Sequence, residues 1–377
     1  MVDRRMTAVS ANIQRISAAR DLDVRVADGC HNWMRSFTAA LLLVLLGGIL
    51  LSAAPFFGAR ALFDDMPLES WRRVGGAATF TLEPPANGAT GPTLVGKGPI
   101  ERNGFLVSPR ELGDFRLAVD VRIGSSEDLN GEKMNSGIQV RSRDIGGAIG
   151  GLQIEIDPSQ RRWSGGIYDE RGRGWLSSLR ENDAGRAAFQ LGAWNRYEVE
   201  CIGPRIRTRI NGVSCAEWYD GVVAGLLAFQ VHGGPACEVA FRSPMLEELG
   251  RHAWQSVPND VTATDEGCVW SSTIPANARG FRVRVAGPAQ LAILAGDGAC
   301  LAEITVPPLA VADAARPRSC EALWVDLEGA VLLDGALERR WNWKSQPMRV
   351  RVLGKSCVAE GAEVLQPTAR TVPSDPR

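Results

Sequence analysis

The sequence has 377 residues, of which 45% are hydrophobic and 23% are charged, and its formal net charge is -1. Two globular domains fit within this length, because single domains commonly span about 100–200 residues. A net charge near zero gives no global electrostatic attraction to polyanions, so we predict no nucleic-acid partner and no electrostatic attachment to anionic membranes.

The first predicted element is an uncharged apolar run at residues 37–59, which follows a tail at residues 1–36. The run is long enough to cross a bilayer, which takes about 20 apolar residues. It is either a signal peptide that starts at Met34, with Ser52, Ala53 and Ala54 before the cleavage point, or an uncleaved anchor behind an arginine-bearing cytoplasmic tail. Both interpretations predict export of the later residues to the periplasm or another extracytoplasmic space, with membrane contact limited to residues 37–59.

Short runs that alternate between apolar and polar residues, separated by Gly, Pro and Asn, fill residues 65–252. Runs such as "FRLAVDVRI", "LQIEID" and "NRYEVECIG" predict short strands, and one short helix is predicted at 180–189. Many short antiparallel strands are typical of an all-β sandwich or jelly roll, which is the fold class that we predict.

Short runs that alternate between apolar and polar residues occur again at residues 255–360, which predicts a second, smaller β-sandwich. The polar residues 361–377 predict a disordered tail. An even set of cysteines in this exported part predicts two disulfides of open connectivity, formed among Cys268, Cys300, Cys320 and Cys357. Three other cysteines lack the spacing of a metal site and are predicted to be small buried side chains: Cys201, Cys215 and Cys237.

Polar residues of four predicted strands fall on the face opposite the apolar residues, and they would meet if the strands share a sheet. In chain order they are Gln139, Arg141, Arg143, Gln153, Glu155, Asp157, Tyr168, Glu170, Gln230 and His232, with Trp163 and Trp175 in the adjoining loop. This mixture of carboxylates, arginine, tyrosine and histidine favours a ligand site. A merely solvated strand face is the alternative interpretation.

Several motifs in a fixed order carry a resemblance to a known family: "NSGIQVRSR" at 135–143, "LQIEIDPSQRRWSGGIYDERGRGWL" at 152–176, "WNRYEVECIGPRIRTRINGV" at 194–213, and "LLAFQVHGG" leading to "VAFRSPMLEEL". They resemble the 3-keto-disaccharide hydrolases, also described as 3-keto-glycoside lyases and hydratases. The resemblance implies a concanavalin A-like jelly roll that acts on sugars whose C3 hydroxyl a separate sugar 3-dehydrogenase has oxidised. Many members carry Glu where this chain has Gln153 and Gln where it has Glu155, which leaves the identity of the base open.

The implied chemistry suits these residues. A C3 ketone acidifies the C2 proton, so Glu155 or Asp157 could remove it while His232 protonates the glycosidic oxygen that leaves C1. Arg141 or Tyr168 would stabilise the enolate oxygen. The predicted substrate-binding residues are Arg141, Gln139, Gln153, Glu170, Trp175 and Gln230. No cofactor is demanded, although Glu155, Asp157 and His232 could together hold a divalent ion.

Two other functions remain open. A non-catalytic, lectin-like module would bind sugar through the tryptophans without cleaving it. An ordinary retaining glycosidase needs two carboxylates about 5–5.5 Å apart. The strand at Glu155 resembles the E-x-D-x-x-E strand of jelly-roll glucanases, but Gln160 stands where the last acid belongs.

The last third weakly resembles the sandwich domain named after farnesoic acid methyltransferase, through the spacing of its glycines and of Trp324, Trp341 and Trp343. We predict that this part is either an accessory domain that binds sugar or a partner, or a structural addition whose tryptophans are partly core.

Overall fold

A computed structural model describes residues 58–86, 89–124, 134–234, 238–258, 260–264, 267–275, 278–286, 289–306, 320–325, 330–333, 336–340, 348–354 and 358–368. The N-terminal tail and nearly all of the apolar run at 37–59 lie outside these residues. Within the described part of the chain, no helix is long and apolar enough to cross a membrane.

Alternating runs of apolar and polar residues form the strands of the first sandwich, because each strand buries one face and leaves the other to polar groups. Its elements are β1 (Arg60–Ala61), α1 (Leu62–Asp65), β2 (Arg72–Gly75), β3 (Thr79–Glu83), β4 (Thr93–Lys97), β5 (Gly104–Leu112), β6 (Asp114–Ile123), β7 (Ser136–Asp144), β8 (Ile149–Ile156), β9 (Ile167–Glu170), β10 (Gly174–Ser177), α2 (Asp183–Ala188), β11 (Asn195–Ile202), β12 (Arg205–Ile210), β13 (Val213–Tyr219), β14 (Gly225–Val231) and β15 (Glu238–Gly250).

These strands form two antiparallel sheets. Sheet A has the order β13-β12-β11-β6-β15-β4-β3, with β1 paired to β15, and sheet B has the order β10-β9-β8-β7-β14-β5-β2. The predicted all-β class and jelly-roll sandwich are confirmed, and the helix expected at 180–189 is α2. Sheet B is the sheet that carries the polar face predicted from the sequence.

Aromatic side chains join the two sheets in the core. Phe229 of sheet B is fully buried and contacts Trp71 on one side, with a ring-centroid distance of 5.8 Å, and Phe241 of sheet A on the other, at 4.5 Å. Such a column removes a large apolar area from water and holds the sheets in one relative position. Cys201 and Cys215 are buried, as predicted.

The second sandwich follows directly. Its strands are β16 (His252–Val257), β17 (Asp260–Thr264), β18 (Gly267–Ile274), β19 (Gly280–Ala286), β20 (Ala289–Ala295), β21 (Cys300–Val306), β22 (Cys320–Val325), β23 (Ala330–Leu333), β24 (Ala336–Arg340), β25 (Met348–Gly354) and β26 (Val358–Pro367). They form sheets of order β16-β26-β19-β22-β23-β24 and β17-β18-β25-β20-β21.

The expected start of a disordered tail at residue 361 is wrong, because β26 pairs with β16 and β19 as far as Pro367. Ala362 and Val364 are buried, and these small apolar residues anchor a segment that looks polar in the sequence. The side chains of Cys268 and Cys320 and the whole of Cys357 lie outside the described residues, so the two disulfides stay a prediction.

We expect Phe229→Ala to lower the free energy of unfolding by about 3–5 kcal/mol, because it removes a ring packed between two others. Ile145→Ala serves as the control, since Ile145 is 43% exposed and its truncation is expected to change stability by less than about 0.5 kcal/mol. Urea unfolding followed by tryptophan fluorescence measures both. Equal effects of the two substitutions would contradict the proposed role of the aromatic column.

Candidate functional site

A chain of hydrogen-bonded polar side chains crosses β7 and β8 on the outer face of sheet B. Gln139 and Gln153 are opposite each other in the register, and Gln139 Nε2 donates to Gln153 Oε1 at 2.5 Å. Gln153 Nε2 in turn donates to Glu155 Oε1 at 2.6 Å, and Ser142 Oγ donates to Gln139 Oε1 at 2.8 Å. All four side chains are buried, so this face is an internal polar network and not a solvated surface.

Gly137 makes room for this chain. It lies opposite Glu155 in the register, and a Cβ atom at this position would approach Cδ of Gln153 to 2.4 Å. Asn135, which comes two residues earlier, donates from Nδ2 to Glu155 Oε2 at 3.2 Å. Both carboxylate oxygens of Glu155 therefore accept a hydrogen bond from a side-chain amide.

Burial raises the pKa of Glu155 to about 7. The hydrogen bonds from Gln153 and Asn135 lower this pKa, whereas the charges of Asp157 and Glu170 raise it further. A carboxyl group with a pKa near neutrality can both accept and return a proton at physiological pH, which is what a general acid–base catalyst needs.

Asp157 follows β8 and is 1% exposed. Its Oδ2 lies 3.1 Å from Arg161 Nη2, and its Oδ1 accepts the backbone N–H of Ser159 at 3.2 Å. Asp157 is therefore held by a charged partner beside Glu155.

His232, Glu170 and Asn103 form a second group at the site. His232 Nδ1 lies 2.8 Å from the carbonyl oxygen of Gly233, which can only accept, so Nδ1 carries the proton and Nε2 is left for other contacts. Burial raises the pKa of Glu170, while the charges of Arg171 and His232 and a hydrogen bond from Asn103 lower it. Glu170 lies on β9, which pairs with β8, the strand that carries Glu155.

Aromatic rings border the polar chain. Tyr168 and Trp175 are paired across β9 and β10, with ring centroids 5.3 Å apart, and Trp163 contacts Trp175 at 4.7 Å. The guanidinium of Arg161 lies 5.3 Å from the Trp163 ring and 5.6 Å from the Trp175 ring. These half-buried rings offer the kind of flat apolar surface on which a sugar ring stacks.

Gln230 has no hydrogen-bond partner among the described residues at either amide atom, although it is completely buried. Its neighbour Phe229 pairs with Ile138, which places Gln230 beside Gly137 on the same face as Glu155. Buried amides are almost always hydrogen-bonded, so an unsatisfied amide here indicates a place for a polar group of a ligand or a water molecule.

The structure does not place Arg141 beside Glu155. A bulge between Val140 and Arg143 shifts the alternation by one residue, so that Ser142 and not Arg141 lies beside Gln139. Arg141 takes a φ of 48°, and its guanidinium turns away to the carbonyl oxygen of Val222, at 3.2 Å, and to Asp114 Oδ1, at 3.6 Å.

Asp114 is the first residue of β6 and is 2% exposed. Its Oδ1 also accepts the backbone N–H of Gly203 at 2.9 Å, and its Oδ2 contacts Nδ1 of His252, the first residue of β16. Arg141 therefore belongs to a cluster that joins three parts of the chain, and it is not positioned to stabilise an enolate at Glu155.

No group of three or more His, Cys, Asp or Glu residues within the described ranges is arranged to hold a metal ion. Glu155, Asp157 and His232 therefore do not form the ligand set that we considered for a divalent ion. The oxygens of Glu155 are already hydrogen-bond acceptors for Gln153 and Asn135, and Asp157 is paired with Arg161.

Three residues of the site were not predicted from the sequence. Asn135 opens the motif "NSGIQVRSR" and could have been found there, since it precedes the strand that carries Gln139. Arg161 lies in a loop between two predicted strands, and Asn103 lies just before β5, where no alternation marks the direction of a side chain.

The family model described as the 3-keto-alpha-glucoside-1,2-lyase-like domain matches residues 58–247. No curated protein matches the sequence. The family match is therefore the finding that bears on function.

Similar solved structures include the carbohydrate binding module CBM66 from Bacillus subtilis, with 14% identity, 48% of this chain and 96% of that chain covered, and a TM-score of 0.35. A candidate glycosyl hydrolase from Parabacteroides distasonis has 17% identity, 51% and 94% coverage, and a TM-score of 0.35. A protein with a galectin-like fold from Bacillus subtilis has 13% identity, 48% and 90% coverage, and a TM-score of 0.32.

We expect Glu155 to make stability depend on pH. The folded protein holds the Glu155 proton up to a pH of about 7, whereas the unfolded chain loses it near 4.5, so stability falls as the pH rises from about 4.5 to 7. Glu155→Gln removes this dependence and is expected to gain about 2–4 kcal/mol relative to the wild type between pH 4.5 and pH 8. Urea unfolding of both proteins at several pH values measures the difference, and parallel curves would contradict the raised pKa.

Proposed function

Because the chain belongs to the 3-keto-alpha-glucoside-1,2-lyase-like domain family, we propose that it cleaves 3-keto-glycosides by removing the C2 proton of the oxidised sugar. The family assigns a carbohydrate-related function. The observation that carries the specific proposal is the buried carboxyl of Glu155, whose pKa of about 7 suits reversible proton transfer.

Glu155 is the proposed base, and Asp157 is not, since Asp157 is held by Arg161. The C3 carbonyl withdraws electrons, so removal of the C2 proton by Glu155 forms an enolate across C2 and C3. The amide groups of Gln153 and Asn135 hold the two carboxylate oxygens in place before and after the transfer. Tyr168, Glu170 and His232 are only half-buried, so the sugar ring would approach Glu155 from their side.

Collapse of the enolate expels the glycosidic oxygen from C1 and leaves a double bond between C1 and C2 conjugated with the ketone. The leaving oxygen needs one proton, which His232 supplies from Nε2, since Nδ1 is engaged with Gly233. The step uses the imidazolium form of His232, which carries a proton on each ring nitrogen. Water then adds its oxygen to C1 and a proton to C2, so the net reaction is hydrolysis.

Tyr168 is the remaining candidate for stabilising the enolate oxygen, now that Arg141 lies elsewhere. Its ring borders the polar chain opposite Gln153 in the register of β8 and β9. The proposed sugar contacts are Trp175 for stacking and Gln139, Gln153, Glu170 and Gln230 for hydroxyl groups. The unsatisfied amide of Gln230 is the strongest of these, because it has no partner among the described residues.

Two further parts of the proposal concern the setting. The substrate requires a C3 oxidation that nothing in this site performs, so a separate sugar 3-dehydrogenase would act first. The apolar run at 37–59 supports an extracytoplasmic location, by secretion or by anchoring. Protease digestion of intact cells tests the location, and full protection of the folded part would contradict it.

We expect Glu155→Gln to lower the turnover of a 3-keto-glucoside by about 10²–10⁴-fold, because the amide cannot accept the C2 proton. Glu198→Gln is the matched control, since Glu198 lies on β11 of the other sheet, and it is expected to keep full turnover. Product release measured by chromatography compares the two variants.

A substrate with deuterium at C2 separates this mechanism from its rivals. Elimination requires loss of the label to solvent, whereas direct displacement at C1 by an ordinary glycosidase leaves it in the product. A lectin-like module would bind the sugar and release no product. Complete retention of deuterium in a cleaved product would therefore overturn the proposal.

A further inference from the structure

A cavity of about 750 Å³ adjoins the candidate site at the Ser142 end of the polar chain. Its walls come from the bulge at residues 141–143, the turn at 169–173, the loop at 219–225, and Arg282 of the second sandwich. We propose that this cavity, which we call the arginine groove, binds the carboxylate of an acidic saccharide. The saccharide class rests on the proposed function, whereas the carboxylate is inferred from the groove itself.

Among the described residues, three of the arginines at the groove have an acidic ion-pair partner and two have none. Five arginines line it, Arg141, Arg143, Arg171, Arg173 and Arg282. Arg173 is neutralised by Asp169, at 2.5 Å, and by Asp220, at 2.6 Å. Arg282 pairs with Glu363 at 2.7 Å.

Arg143 and Arg171 are exposed and have no ion pair within 4.0 Å among the described residues. Of the other two lining acids, Glu111 is 57% exposed and lies 3.8 Å from Arg251, and Glu170 interacts electrostatically with Arg171. An anionic ligand would pair with these two exposed guanidinium groups.

Arg141 supplies the second, independent observation. Its side chain is completely buried, yet Nε and Nη2 have no hydrogen-bond partner among the described residues, and Asp114 Oδ1 is 3.6 Å away. Its Nη1 bonds to Val222, another residue of the groove wall. Arg141 is thus ion-paired with Asp114, but it keeps N–H groups for which no described residue provides a hydrogen-bond acceptor.

A carboxylate is the acceptor that fits best. A guanidinium presents parallel N–H groups that match the two oxygens of a carboxylate. The groove meets the polar chain at Ser142, so an acidic sugar unit linked to a sugar in the candidate site would reach it. Trp254 of β16 stabilises the loop at 219–225, which lines the groove, because its Nε1 donates to the carbonyl oxygen of Gly221 at 2.7 Å.

Calorimetric titration of the full-length protein with a glucuronyl-glucose disaccharide and with cellobiose tests the inference. We expect the acidic disaccharide to bind at least about tenfold more tightly at low salt, and the preference to shrink as salt screens the charges. The Arg143→Ala/Arg171→Ala double variant is expected to lose this preference while its affinity for cellobiose stays the same. Arg209→Ala, on β12 of sheet A, is the control and is expected to keep it.

Equal affinity for the two disaccharides, binding of neither, or a preference that survives in the double variant would each overturn the inference. Glu155→Gln separates it from the proposed function, because this variant is expected to keep the charge preference while losing turnover. A wild-type protein that never releases deuterium from C2 would contradict the proposed function. If that protein still prefers the acidic sugar, the proposal for the arginine groove remains supported.

Discussion

The hydrogen bond between Gln139 and Gln153 is the interaction on which the rest of the site depends. It fixes the amide of Gln153 so that Nε2 faces Glu155. It also lets four polar side chains be buried while they remain hydrogen-bonded to one another. Burying a carboxyl group is costly unless it is hydrogen-bonded or neutral. The amides of Gln153 and Asn135 provide the hydrogen bonds. The raised pKa of Glu155 makes its neutral, protonated form accessible near pH 7.

This arrangement also bears on the order of acid and amide along β8. Where the resemblance implies Glu and then Gln, this chain has Gln153 and then Glu155, and the two side chains are bonded to each other at 2.6 Å. An exchange of acid and amide preserves that pair and moves the carboxylate two residues along β8. The partners of the carboxylate change with it, so that here Asn135 and not a residue of β7 binds its second oxygen.

Much of this could be predicted from alternation. The strict pattern of "LQIEID" places Gln153, Glu155 and Asp157 on one face, and β7, β8 and β9 do lie side by side with those residues together. The bulge at Arg141 could not be predicted, because a positive φ at an arginine has no local sequence signal and depends on the strands that pair with it. Asn103 could not be predicted as a site residue for a related reason. Its hydrogen bond to Glu170 depends on how sheet B brings distant strands together.

Asp114 has a consequence for how the chain divides into modules. One buried carboxylate receives the guanidinium of the β7 bulge, the backbone of the turn at Gly203, and the imidazole of His252 at the start of the second sandwich. A domain boundary drawn at Gly250 therefore separates Asp114 from His252, one of its partners. Removing the second sandwich would take the imidazole of His252 away from this buried carboxylate.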